Sequence, residues 1–297
     1  MAGGRLGLTM AAKQGFTAYV MLAPWIIGIL GFTLYPFINA MILSFGKSDV
    51  FSYKFIGITN FIELMGDKRF LKSLEVTVKY TFLSVPLKLV VALIIATILS
   101  KSTKIMHLLR TVFYIPSLIG GSVAVAVMWR MLFGYEGLWN SFLALFGIRG
   151  REWLGTPEYA LALLILLVAW QFGSSMIIFL AGLKNVPREL LEAAQIDGAN
   201  SFQTYFSVTL PMLTPIIQFN LILQLIGSFQ TFTQGYLITK GGPMDETLFT
   251  VLYIYQQGFG AYRMGYAAAM SWVLFMIILL VTRLVFISSK FWVYYND

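Results

Sequence analysis

The chain has 297 residues, of which 58% are hydrophobic and only 11% charged, too little polar surface for a soluble globule and the composition of a polytopic membrane protein. It has no cysteine, which excludes a disulfide framework, a thiolate metal site and a cysteine nucleophile. The net charge of +8 is spread over loops rather than gathered in a stripe, which argues for a membrane surface and against nucleic acid.

Met1 to Phe16 is a polar segment carrying Arg5 and Lys13, and Thr17 to Phe45 is a first span, too long for a signal-peptide core. Pro24 and Pro36 each remove a backbone donor inside it, so a kink or broken turn is expected. Gly46 to Lys72 reads as a charged loop. Ser73 to Ser100 is the second span, with Glu75 and Lys79 at i,i+4 spacing and Lys88 near its middle. An intramembrane lysine costs about 2.5–3.5 kcal/mol on insertion scales, so Lys88 is expected to face the bundle or a wet cavity. Lys101 to Arg110 is a short basic connector holding the single histidine, His107, which reads as a solvated residue.

The third span runs from Thr111 to Phe133, where Pro116, Gly120 and Gly121 allow a bend or a close helix approach and Arg130 reaches toward the interface. Gly134 to Pro157 is a second polar loop. Glu158 to Leu183 is the fourth span, interrupted by Trp170, Gln171, Ser174 and Ser175.

A polar stretch, Pro187 to Pro211, follows. Pro187 suits the first turn of a helix, Glu189 favours its N-terminus, and Gly198 ends it. Asn200, with Gln203 three residues on, fits the capping box of a second helix. A short, partly apolar helix between two spans can lie on a membrane, fill a partner's groove or simply connect.

The fifth span, Leu210 to about Ile238, carries Asn220, Gln224, Ser228 and Thr231 on one helix face. Such a face should point inward, either to hydrogen-bond neighbouring helices or to line a polar pathway. Phe229, Phe232 and Tyr236 interleave with it, as stacking on a sugar ring beside amides would require, although packing would use the same rings. Thr239 to Arg263 reads as a loop. The sixth span starts at Gly265 and runs to about Phe286, with Arg283 and Lys290 flanking its end.

Glu192, Ala193 and Ala194, then Gly198, Val208, Leu210 and Pro211, including the run Ile196, Asp197, Gly198, Ala199, resemble the "EAA" cytoplasmic loop of bacterial ABC importer permeases of the carbohydrate group. Val208 departs from the usual isoleucine. The stretch from Lys240 through Gly241, Gly242, Pro243 and Thr247 to Tyr253, Ile254, Tyr255 and Phe259, and the end from Lys290 to Tyr295, resemble one of the two permease types of those importers, the partner found in maltose-type systems.

The resemblance implies an all-α fold of six transmembrane helices with a cytoplasmic coupling helix, the type I ABC importer permease fold. It divides the chain into residues 1–16, cytoplasmic; 17–290, the permease domain with its coupling loop at 187–211; and 291–297, a cytoplasmic tail. It assigns ATPase coupling to Glu192, Ala193, Ala194, Asp197, Gly198 and Ala199. The substrate pathway is expected at Asn220, Gln224, Ser228, Phe229, Phe232 and Tyr236, with a sugar or oligosaccharide as the solute. The partners it implies are a second permease, two ATPase subunits and an extracellular binding protein, in a bacterial cytoplasmic membrane. Another polar solute such as glycerol phosphate or a polyamine is the alternative within transport, and a non-ABC channel or scaffold the alternative outside it.

Lysines and arginines divide evenly between the two sides of a six-span arrangement, so the positive-inside rule does not orient the chain. The cytoplasmic placement of the loop rests on the resemblance. No GxxxxGK[ST] phosphate loop occurs, so ATP and Mg are expected on a partner subunit and no cofactor on this chain. HExxH and GxSxG are also missing, and the acids of the spans, Glu75 and the first residue of the fourth, Glu158, lie near span ends and far apart in sequence, so neither catalysis nor a metal site is expected.

Overall fold

The computed structural model describes residues 18–48 and 52–294. The N-terminal segment 1–16 and the last residues of the tail, 295–297, lie outside the described residues. The chain divides into two compact units, Met1–Leu64 with Gln257–Trp272, and Met65–Gln256 with Val273–Asp297.

In the first unit, α1 (Ala18–Ser44) is one apolar span of 27 residues. The expected disturbance at the prolines takes the form of a widened turn, Ile29–Leu34, in which the Tyr35 N–H reaches back to Leu30 O. It lies just before Pro36, whose ring would otherwise strike the carbonyl four residues back. The expected charged loop after α1 is largely structured. It contains a hairpin, β1 (Gly46–Ser48) against β2 (Tyr53–Phe55), and helix α2 (Thr59–Gly66). The hairpin register pairs Gly46 with Phe55 and Lys47 with Lys54. The Asn60 side chain closes the end of α1 by donating to Ser44 O and Gly46 O, both at 2.9 Å. Gly265 lies against the carbonyls of Gly46 and Leu43, leaving no room for a side chain.

The second unit is built on α3 (Lys68–Ile98). It starts five residues before the expected Ser73, because Asp67 caps it by accepting from the N–H groups of Arg69 and Phe70 at 2.9 and 3.1 Å. Its 31 residues make it about 46 Å long at 1.5 Å per residue, enough to pass right through a bilayer core of about 30 Å. Ser73, Thr77, Thr81 and Ser84 are fully buried along one side, and these small residues let neighbouring helices approach closely.

Helix α3 packs against α7 (Pro157–Trp170), α8 (Gly173–Lys184), α10 (Ser201–Phe229) and α11 (Thr250–Tyr255). The core joins Val85, Leu89, Ala92 and Ala96 of α3 to Met176, Phe179 and Leu180 of α8 and Leu225 of α10.

The expected third span is two helices, α4 (Lys104–Ile119) and α5 (Val123–Phe133), with a 98° bend between α4 and the helical stretch that follows it. The break falls at the Gly120–Gly121 pair. Helix α4 also takes up most of the expected basic connector, and Arg110 turns back to donate to Leu99 O at 3.0 Å through Nε and at 2.6 Å through Nη2. That satisfies a free carbonyl just past the end of α3.

Helices α7 and α8 form the fourth span, bent by 41° at Gln171 and Phe172, where the polar interruption was expected. Gln171 Nε2 donates to Gly120 O at 3.1 Å, so the breaks of the two bent spans hold each other. The second polar loop includes helix α6 (Leu138–Ala144) and is organised by Asn140, which donates to Tyr135 O and Arg151 O and accepts from Trp153 Nε1.

Helix α10 begins at Ser201 and ends at Phe229, instead of running from Leu210 to Ile238. Its capped start fuses the second half of the polar stretch 187–211 to the span, and a second widened turn, Tyr205–Thr209, lies just ahead of Pro211. Helix α12 (Met264–Trp292) continues past the expected Phe286. Among the described residues, four single helices and two bent pairs are long and apolar enough to cross a membrane, which makes the six spans expected when each pair is counted once.

The expected loop after α10 is also ordered. Its tip is fixed to the start of α3. Arg69 binds Asp245 through two hydrogen bonds of 2.7 and 2.8 Å, Lys72 binds Glu246 at 2.7 Å, and Tyr253 Oη donates to Asp67 at 2.8 Å. The Thr247 hydroxyl donates within the loop to Gly242 O at 2.6 Å.

Gly173 lies 2.5 Å, as a built Cβ would measure it, from Phe113 O and 2.7 Å from the Tyr114 Cα. Gly173→Ala is therefore expected to destabilise by about 1–3 kcal/mol, seen as a lower melting temperature in detergent. Gly227, with nothing within 4 Å of an added Cβ, should melt at the same or a higher temperature as alanine.

The Arg69 guanidinium holds the Asp245 carboxyl below its ordinary value of 3.8. The stabilisation from this pair is then present above about pH 4 and is lost as pH falls through the lower folded value. Being partly exposed, it contributes no more than about 1 kcal/mol. The melting-temperature gap between wild type and Asp245→Asn is expected to be largest near neutrality and to close below pH 4.

Candidate functional site

The polar stretch Pro187 to Pro211 forms first a helix, α9 (Arg188–Ile196), with Pro187 in the capping position just before it, one residue outside the first turn where it was expected. Asp197 follows, and Gly198 adopts φ +82, a left-handed conformation that glycine enters without strain. Asn200 and Gln203 then form the expected capping box. The Gln203 N–H donates to Asn200 Oδ1 and the Asn200 N–H to Gln203 Oε1, each at 2.9 Å.

None of the residues of α9 is buried. Glu192 and Ala193 are exposed, Ala194 and Ala199 half-buried, and Asp197 and Gly198 exposed. Ile196 is 86% exposed and Phe202 72% exposed. Ile196 at the end of α9 and Phe202 just beyond it thus leave apolar surface in the open, a feature of segments that meet another protein or a membrane.

The stretch is nevertheless firmly mounted. Tyr205 Oη lies 3.1 Å from Thr97 Oγ1 near the end of α3, and beyond the turn 197–200 the chain enters α10 directly. A displacement of α9 thus reaches a membrane helix with no slack segment between them.

The expected pathway residues separate into three places. Asn220 is fully buried, and its Nδ2 donates to Ser175 O of α8 at 3.2 Å, a helix-to-helix contact. Phe229 is buried in the core. Gln224 and Ser228 border a cavity of about 220 Å³ that is also lined by Tyr80, Val85, Lys88, Val168, Gln171, Gly227, Thr231 and Gln234. There Lys88 Nζ donates to Gln224 Oε1 at 2.8 Å, and the Ser228 hydroxyl lies 3.1 Å from Thr81 Oγ1. Lys88 therefore faces the bundle interior and a cavity, as expected, with the Gln224 amide as its hydrogen-bond partner.

Phe232 and Tyr236 lie past the end of α10, so they do not share its face with Gln224. They stack on each other at 5.1 Å and 15°, with Tyr255 edge-on to both at 5.3 and 5.5 Å. Tyr236 also borders a second cavity, about 550 Å³, with Arg130, Lys240 and Gln256. Gln171, Lys240, Gln256 and Tyr255 were not picked out by residue pattern as pathway residues. They come from other segments, and no helical period links them to the α10 stripe.

Among the described residues no group of three or more histidine, aspartate or glutamate side chains is placed to hold a metal ion. The chemistry on offer is hydrogen bonding by amides and hydroxyls, aromatic stacking, and positive charge from Lys88, Arg130 and Lys240.

Residues 88–293 match the family described as "Binding-protein-dependent transport system inner membrane component". Over 290 residues the chain is 50% identical to the probable ABC transporter permease protein YesP of Bacillus subtilis (strain 168), covering 96% of this chain and 94% of that one. It is 35% identical to the arabinooligosaccharides transport system permease protein AraP of the same organism, covering 89% and 85%. The fold is similar to that of a chain in the crystal structure of a bacterial alginate ABC transporter in complex with alginate pentasaccharide-bound periplasmic protein, with a TM-score of 0.81, 24% identity and coverage of 95% and 96%. The apolar helical spans and these likenesses agree, and the chain belongs to the binding-protein-dependent transport system inner membrane components, as a membrane-embedded permease subunit of an ABC transporter.

Proposed function

We propose that this chain is one of two different permease subunits of an ATP-driven importer of a sugar or oligosaccharide. The exposed, rigidly mounted helix α9 carries the proposal, because it has the form of a docking element and leads straight into a membrane helix. The sugar solute is supported by relatives named as permeases for arabinooligosaccharides, lactose and trehalose/maltose.

Two ATPase subunits supply hydrolysis with ATP and Mg bound on them, and an extracellular binding protein delivers the solute. Glu192, Ala193, Ala194, Asp197, Gly198 and Ala199 form the ATPase contact. When the ATPases close, α9 moves and draws α10 with it through the turn at 197–200. Helix α10 borders α3 and α8, so its movement opens or closes the polar cavity at Gln224 and Ser228. The solute meets amides and hydroxyls there and the stacked rings of Phe232 and Tyr236 beyond. Asn220 and Phe229 hold α10 in register for that motion.

The protein resides in a bacterial cytoplasmic membrane with α9 and both termini in the cytoplasm. Residues 17–290 form the transmembrane domain between the short segments 1–16 and 291–297. The Tyr205–Thr97 contact puts α9 at the Ile98 end of α3, and so the loop bound at Arg69 and Lys72 faces outward.

Pull-down of the tagged chain from detergent-solubilised native membranes is expected to recover an ATPase and a second six-span permease. Glu192→Lys should release the ATPase. Gly198→Pro, which cannot adopt φ +82, should retain the ATPase but uncouple its hydrolysis from uptake. Recovery of the wild-type chain alone, or coupling unchanged in both variants, would count against the docking role. Gln224→Ala and Phe232→Ala are expected to reduce solute uptake several-fold with membrane levels and ATPase recovery unchanged. Wild-type uptake kinetics in both would make those residues packing groups only.

A further inference from the structure

Lys88 is placed where a positive charge is hard to justify on packing grounds alone. It sits well inside α3, past the middle of the span, and it lines a polar cavity. The described ion pairs of the chain all involve other cations, those of Arg69, Lys72, Lys79 and Arg263. The hydrogen-bond partner of Lys88 is the neutral amide of Gln224, at 2.8 Å. An amide oxygen accepts one of three ammonium protons and brings no countercharge, so the field of the ammonium extends into the cavity.

The second cavity repeats the pattern. Arg130 and Lys240 border it, no carboxylate does, and neither forms an ion pair among the described residues. Tyr236 lines the same cavity, and its ring stacks with Phe232. Two cavities of the same unit are therefore bordered by cations with no carboxylate among their lining residues, the second being otherwise largely apolar with the Tyr236 ring on its wall.

Resting on the importer function proposed above, we infer that the transported saccharide is an acidic one, whose carboxylate is received by Lys88 inside the membrane. Because Gln224 gives its oxygen to Lys88, its amide nitrogen remains as a second donor beside the ammonium. A single carboxylate has two oxygens to match that pair, and the rings of Phe232 and Tyr236 suit the flat face of a pyranose. Arg130 and Lys240 draw the same anion along its path by charge. The cation in the membrane is then neutralised only while solute is bound, which favours an acidic saccharide over a neutral one of equal size.

The test is uptake by cells expressing the chain with its own partner subunits. The probes are radiolabelled uronate disaccharides, their methyl esters, the neutral hexose disaccharides of the same linkage, and a hexose phosphate. At least one uronate disaccharide is expected to enter at least tenfold faster than its ester and its neutral counterpart. Lys88→Gln should collapse that acid-to-neutral ratio at least tenfold, and Lys88→Arg should restore it in part, with membrane levels of both variants checked by immunoblot. Preference for the neutral sugar or the phosphate would overturn the inference and leave an importer in place. So would a Lys88→Gln variant that lowers acid and neutral uptake in equal proportion, which would make Lys88 a structural contact. If ATP-dependent entry of every saccharide is missing while the ATPase still co-purifies, the sugar function itself falls, and this inference with it.

Discussion

Lipid offers no hydrogen bonds, so a membrane helix can be interrupted only where the protein itself supplies the missing partner. That constraint governs the chain. Ahead of Pro36 and ahead of Pro211 the helix widens by one residue per turn and continues. At the sharp breaks a side chain takes over, and Gln171 joins the two bent spans by donating to Gly120 O. Arg110 closes the end of α3 and Asn60 the end of α1. Gln171, Arg110 and Asn60 each answer a backbone carbonyl left open at a break or a helix end, whereas Lys88 and Gln224 answer each other.

Helix α3 links the features that bear on transport. At one end Arg69 and Lys72 hold the Asp245–Glu246 loop, and near the other Thr97 touches Tyr205 of the docking turn. Between them lie the buried hydroxyls that let α10 close in and the cavity at Lys88. Helix α10 packs on both α3 and α8, so packed, hydrogen-bonded neighbours join the exposed stretch around α9 to the polar cavity.

The cavity at Lys88 is lined by amides, hydroxyls and an ammonium beside apolar side chains, while the stacked rings of Phe232 and Tyr236 form a separate wall. Hydrogen bonds of this kind are individually modest in net strength and exchange partners readily.

The sequence by itself determined the helical membrane character, six spans when each bent pair is counted once, and the glycine turn with its capping box after α9. Those features depend on local chemistry, namely long apolar runs, a glycine that must adopt positive φ, and a capping box spaced within one turn. It also placed Gln171 and the Gly120–Gly121 pair at interruptions and faced Lys88 toward the bundle or a cavity. Span boundaries shifted where a cap outweighed hydropathy, as at Asp67 and Asn200. The loops after α1 and α10 appeared unstructured because their order comes from distant groups, such as Arg69 for Asp245. Only the tertiary structure decided that Gln224 is Lys88's partner, that Asn220 and Phe229 pack between helices, and that Phe232 and Tyr236 form a separate wall with Tyr255. A helical period reports which residues share a face only while the helix continues, and α10 ends at Phe229, so beyond that point side chains are brought together by packing alone.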